Sequence, residues 1–377
     1  MKVSPHFFAA VVFKKLFVLG GHVNINSKQK GQFYLQKDKF VKEMKNDRLG
    51  EWPNFGLSLD EWKNNKELVL QAAGEKHIAL VYASSELRND REFMLKVVQR
   101  NSYAMQFVSD ELKDNAEFML EVVKMHGSTN SVGYLSDRLI YDTQFMLEAI
   151  KAFPSMPPKF VTDYVASDKE FMLEAVKFSK LVFARASKEL KNDREIVIEA
   201  VKNDGQDLIF ASKELKNDRE IVIQAVNLYG QALKHASNKL KRDKIVVIEA
   251  VKQDGMALEF AKSNLKGDKE VLIEAVKQDG MALEFATTDL QSDKEVVMEA
   301  VKQDGMSLQF ANTNLICDKE VVIEAVKNSG KAFQFASHKL RIDDEVAFEA
   351  RKQRNAAHKY VSEDIFHGFF IDMVNQI

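Results

Sequence analysis

This chain of 377 residues has one cysteine, Cys317, so neither an intrachain disulfide nor a cysteine-based metal site can form. A reducing compartment, the cytoplasm, is the expected location. Charge of one sign is lacking too. The formal net charge is −2, which excludes the electrostatic footprint of a general nucleic-acid binder. Long apolar runs are missing: the opening MKVSPHFFAAVVFKKLFVLGG is broken by Lys14 and Lys15 and has no small-residue cleavage motif. It is too short and too charged to span a bilayer, so no stable membrane insertion is expected. It reads as a helix capped by Ser4, with Pro5 at its first position and Gly20-Gly21 as its stop.

Catalytic signatures are equally scarce. The eight histidines never fall at a ligand spacing such as HxxxH, and no GxSxG, Walker loop or GxGxxG occurs. Cys317 stands beside Asp318, whose charge disfavours the thiolate a nucleophile needs. The expectation is therefore no enzyme, no cofactor and no metal. An enzymatic site would have to be built with residues 1–64.

What is present is a beat. Asp168 recurs as Asp193, Asp218, Asp243, Asp268, Asp293, Asp318 and Asp343, every 25 residues. Backward from Asp168 the units open at Asp142, Asn115, Asp90 and Asn65, with spacings of 26, 27, 25 and 25 residues. The extra residues fall near Pro154–Pro158 and Gly127–Thr129, where a loop absorbs an insertion at little cost. Twelve units run from residue 65 to 367, preceded by a segment of 64 residues and followed by a tail, 368–377. The first 64 residues carry 11 lysines and arginines against 6 acids, and the remainder 43 against 50.

With the opening acid as position 1, apolar residues fill positions 4, 5, 6, 8 and 9, as in Val271, Leu272, Ile273, Ala275 and Val276. That pattern is one broad face of a helix flanked by neighbours on both sides. Alanine at position 8 permits close approach. Glycine at position 13, as in Gly205, Gly230, Gly255, Gly280, Gly305 and Gly330, is expected to end the helix in a left-handed conformation. A second, shorter helix follows, with apolar residues at positions 15, 16, 18 and 19 (Ala282, Leu283, Phe285 and Ala286), and Leu290 at position 23 tucks back before the next unit. Helices this short are marginal alone, so stacking must stabilise them. The fold expected is an all-α solenoid of stacked short helical hairpins, with residues 1–64 as an N-terminal helical cap.

The phrase D-K-E-V-V-x-E-A-V-K-Q-D-G-x-A-L-x-F-A-S-x-x-L-K resembles an uncharacterised tandem helical repeat family, a domain of unknown function, over roughly residues 65–365. The resemblance implies an architecture and brings no activity, site residue or cofactor. Such arrays occur in protists, large DNA viruses and intracellular bacteria, which implies a host-facing role and, for a secreted chain, the host cytosol.

Most repeated polar residues have a structural reading. The opening acids read as helix caps, since Asn65 and Asn115 cap as well without charge. Glu and Lys at positions 7 and 10, such as Glu274 and Lys277, read as a solvated ladder. The exceptions are the candidate binding residues. Met256, Met281 and Met306 occupy position 14 of three consecutive units; they form an adaptable groove, pack over the glycine turn, or reflect duplication, since residues 248–261 and 273–286 are identical. Arg185 and His235 replace the aromatic residue of position 18, a core place by default, so either the place is open there or a carboxylate partners the cation. Trp52, Phe55 and Trp62 form either a recognition cluster or the covering of the first repeat's open face.

The function expected is a non-enzymatic scaffold, compatible with a monomer, that binds a protein or peptide and no nucleic acid. The alternative is a membrane-surface protein that uses the basic, Phe-rich opening segment.

Overall fold

A computed structural model describes residues 63–75, 77–126 and 129–352, and the N-terminal segment with Ser4, Pro5, Trp52, Phe55 and Trp62 lies outside them. The described residues are helical, with no strand among them. The chain divides into two compact units, 1–171 and 172–377.

In the second unit the repeats that open at Asp193, Asp218, Asp243, Asp268, Asp293 and Asp318 are coils of three pieces. The first is an α-helix over positions 2–11, such as Lys269–Gln278. Its opening acid accepts from the backbone N–H groups of positions 3 and 4, as Asp268 does from Glu270 and Val271 at 3.1 and 3.3 Å. These bonds satisfy orphan donors at the positive end of the helix. Positions 4, 5, 8 and 9 are fully buried, for example Val271, Leu272, Ala275 and Val276, while position 6 is half-buried. The broad apolar face is thus the core. Consecutive α-helices pack side by side, each also touching the second piece of its own repeat and of the one before.

The second piece is a six-residue 3-10 helix over positions 13–18, such as Gly280–Phe285. Its N-terminus is capped by position 12: Asp254, Asp279 and Asp304 accept from the N–H groups of Met256, Met281 and Met306 at 3.0, 2.9 and 2.8 Å. Tighter winding than in an α-helix turns position 18 partly outward. Phe260, Phe285, Phe310 and Phe335 are half-buried and Phe210 is exposed, so position 18 is a rim place and not a core one. The third piece is one turn at positions 22–25 or thereabouts, 3-10 in some repeats and α in others, anchored by a buried leucine such as Leu240 or Leu265.

Glycine at position 13 does not end the helix in the left-handed region. The α-helix stops one residue earlier, on an extended residue such as Asp254 with φ −148° and ψ 106°. The glycines of this position are buried against the next repeat. A Cβ on Gly255 would stand 2.5 Å from the carbonyl oxygen of Ala275, and on Gly305 2.2 Å from that of Ala325. Close approach, not backbone conformation, selects the residue.

Three ladders tie each junction of regular repeats. The glycine N–H donates to the amide oxygen at position 11 of the next repeat: Gly255 to Gln278 at 2.6 Å, Gly280 to Gln303 at 2.6 Å and Gly305 to Asn328 at 2.8 Å. Position 11 is therefore a clamp. The backbone N–H of position 20 donates to the carbonyl of position 24 one repeat earlier, as Ser237 does to Lys216 at 2.9 Å. The cation at position 2 bridges forward to the next opening acid, as Lys269 does to Asp293 at 2.7 Å. This last partner of the acid is not visible in single-repeat spacing.

The first unit uses two of these devices. Ser109 N–H donates to the carbonyl of Arg88 at 3.0 Å, and Lys66 pairs with Asp90. Its added residues lie beside the one-turn helix Thr129–Val132 and in the stretch before the turn Pro158–Phe160.

The close approach is testable. Gly255→Ala should lower stability by about 1–3 kcal/mol in urea denaturation, because the new methyl meets backbone that cannot step aside. Gly267→Ala, where the nearest atom would be the Thr287 methyl at 3.2 Å, should stay within about 0.5 kcal/mol.

Candidate functional site

Where repeats obey the pattern, their polar groups are consumed by caps and ladders. Within the second unit, departures concentrate between residues 178 and 245. The large apolar residues Phe178, Leu181, Ile209, Phe210, Leu228 and Ile245 are exposed there, whereas none is exposed among the described residues from 246 to 341. Phe178, Ile209, Leu228 and Ile245 take the place of a polar residue in a regular repeat, whereas Leu181 stands at the position of Met256 and Met281 and Phe210 at that of Phe260 and Phe285. Leu228 occupies the position of the clamping amides Gln253 and Gln278, and so offers Gly205 no oxygen. Ile245 stands where Glu270 and Glu295 receive the forward ion pairs of Lys244 and Lys269. Ile209 stands where Glu259 and Glu284 are found.

The two odd occupants of position 18 lie in the same stretch. Arg185 is exposed at the end of the turn Phe183–Arg185, so the place is open, as one of the two sequence readings had it. His235 is half-buried, and its surroundings are cationic, not acidic. Burial, with Lys216, Lys234 and Lys241 adding to it, holds the imidazole below its ordinary range. The charge-neutral ring is favoured there. Phe210, between them in the array, packs edge-on against Phe183 with ring centres 6.5 Å apart.

Met256, Met281 and Met306 are each half-buried in the first turn of their 3-10 helices, which pack in consecutive order. They form one row, at the end of the 3-10 helix opposite position 18. The structure thus keeps the methionines apart from Arg185 and His235, while Trp52, Phe55 and Trp62 fall outside the described residues.

One residue escaped the sequence reading. Asp207 is 4% exposed at position 15, where neighbouring repeats carry Ala232, Ala257 and Ala282. Burial, reinforced by Asp204 and partly offset by Lys180, pushes its carboxyl up to about 8. Lys180 in turn occupies the position of the junction glycine. An acid in an alanine place is a visible break in the pattern, masked by the apolar residues that the other repeats carry at position 15.

Among the described residues no group of three His, Cys, Asp or Glu side chains could hold a metal ion, and no helix is long and apolar enough to cross a membrane. In the first unit a cleft of about 550 Å³ opens between two closing turns and is lined by residues including Arg88, Phe107, Ser109 and Lys113.

Because the Asp207 carboxyl titrates higher in the folded than in the unfolded chain, the native state binds the extra proton. Stability should therefore fall as pH rises from about 4 towards 8. Asp207→Ala, the residue of the neighbouring repeats, should match the parent near pH 4 and exceed it by about 1–3 kcal/mol at pH 8. Thermal melts across that range would show it, and parallel pH profiles would remove the buried charge from the account.

No match was found among curated proteins or among solved structures. A family of domains of unknown function, DUF4116, matches residues 65–113, 168–216, 218–266, 268–316 and 318–365. Each match spans two of the 25-residue coils, so the family's unit is a pair. The unmatched interval, 114–167, holds the two repeats with extra residues. With matches over more than half its length, the chain belongs to the DUF4116 family.

Proposed function

We propose that the chain is a non-enzymatic scaffold that binds a protein or peptide across consecutive repeats. The carrying observation is the group of exposed apolar residues between 178 and 245, followed by repeats that expose none among residues 246–341. An exposed apolar cluster on a folded domain marks a contact surface. The rest of the array supports this reading, because its repeated polar groups already serve caps, clamps and forward ion pairs. Recognition would work by many modest contacts, each supplied by the same place in successive repeats. Cytoplasmic or host-cytosolic residence belongs to the same proposal.

Returning the exceptions to the array's own pattern tests it. A triple variant, Ile209→Gln, Leu228→Gln and Ile245→Glu, carries residues that the other repeats tolerate at those places. It should melt no lower than the parent, since Leu228→Gln supplies the missing clamp. Affinity capture from the source cell and its host should recover a protein with the parent that the variant loses. Capture of the same proteins by both would count against the surface.

A further inference from the structure

The second unit carries two rows of cations, and only one is neutralised. At position 2, Lys244, Lys269, Lys294 and Lys319 each reach two carboxylates of the next repeat, within 2.7–2.9 Å. Hydrogen bonds to those carboxylates hold these ammonium groups above the usual lysine range. At position 24, on the closing turns, lysine stands in four consecutive repeats, as Lys191, Lys216, Lys241 and Lys266, all half-buried, and the first three share one environment. Each of those three donates to the position-17 carbonyl of its own repeat: Lys191 to Ala184 at 2.8 Å, Lys216 to Ile209 at 2.7 Å and Lys241 to Lys234 at 2.6 Å. None of the three is ion-paired with a carboxylate among the described residues.

Their surroundings repel rather than compensate. Burial holds all three below the usual lysine range, with Arg185 adding to the effect at Lys191, and Lys262 and Lys234 at Lys241. Of the two acids nearest Lys191 in sequence, Glu189 is engaged by its own backbone N–H and by Ser187, and Asp193 caps the next α-helix. An ammonium has three donors, and the carbonyl uses one. Two protons and a full charge per repeat are left for a partner. Apolar surface adjoins them: Lys191 lies 5.8 Å from the centre of the Phe210 ring, and Ile209, whose carbonyl receives Lys216, is 45% exposed.

We propose that the row Lys191, Lys216 and Lys241 is the docking site of an extended acidic peptide, with carboxylates on successive closing turns and apolar side chains against Ile209 and Phe210. The inference rests on the scaffold reading above and names its partner's chemistry. Packed helices repeat at about 9 Å, and a chain in the extended polyproline-II form advances about 3.1 Å per residue with three residues per turn, which keeps every third side chain on one face. An acid at every third residue therefore meets one lysine per repeat. A nucleic acid fits less well. Its charges come roughly every 1.7 Å along the duplex, against a single file of lysines on a chain whose residues 65–377 carry 50 acids and 43 bases.

The probe is a fluorescein-labelled peptide of repeating Glu-Leu-Ser, read by anisotropy with the full chain. The variant is Lys191→Gln, Lys216→Gln and Lys241→Gln. Glutamine keeps the turn: Gln291, at the same position of another repeat, donates to the Leu283 carbonyl at 3.2 Å. The control, Lys244→Gln, Lys269→Gln and Lys294→Gln, removes the same charge from the neutralised row. Affinity should fall at least tenfold in the first variant and less than twofold in the control, with circular dichroism unchanged in both. Equal loss in both, no binding by the parent, or tighter binding of oligodeoxythymidylate than of the peptide would overturn the assignment. If the apolar reversion abolishes partner capture while the lysine variant binds peptide as the parent does, the scaffold reading stands and the row does not.

Discussion

The array depends on one contact, the seating of the position-13 glycine against the position-8 carbonyl of the following repeat. A Cβ at these glycines would fall 2.2–2.5 Å from that oxygen. Only at this separation can the glycine N–H reach the position-11 amide of the same neighbouring helix. Alanine at position 8, fully buried, leaves room for the approach. The apolar face of positions 4, 5, 8 and 9 then supplies most of the stability through burial. The exposed ion pairs add little individually, about 0–1 kcal/mol each, and serve chiefly to fix the register of one repeat on the next.

Much of this was legible in the chain itself. A strict period, a broad helical face and a capping acid define an all-α solenoid, and the structure has these elements. One local reading failed and one contact was missed for the same reason. Glycine at position 13 looked like a left-handed helix stop, and the clamp at position 11 went unread, because spacing within a repeat cannot reveal what the next repeat brings. Gly255 and Gln278 are 23 residues apart and explain each other. The winding of the second piece was also hidden. Phe260 and Phe285 look like core residues on an α-helix, yet a 3-10 turn carries them to the rim. Asp207 was missed although its signal, an acid in an alanine place, was in plain view.

The contrast between the two lysine rows shows how context assigns a role to the same residue type. Lys269 and Lys241 are both part-exposed lysines of one array. The first sits between Asp293 and Glu295, and its charge is answered within the fold. The second sits beside Lys234, Lys262 and His235 with a lone carbonyl. Composition sums these rows to near neutrality, which is why the net charge of −2 says so little about either.

The identity of residues 248–261 and 273–286 has a consequence for how such a chain can change. These segments carry the clamp, the close-approach glycine and the position-8 alanine on both sides of one junction. A further copy placed between them would meet the same partners above and below. Length is then a quantity the genome can alter in steps of 25 residues, by slippage or unequal exchange, with no new interface to invent. A chain built this way can lengthen its reach faster than it can alter its surface.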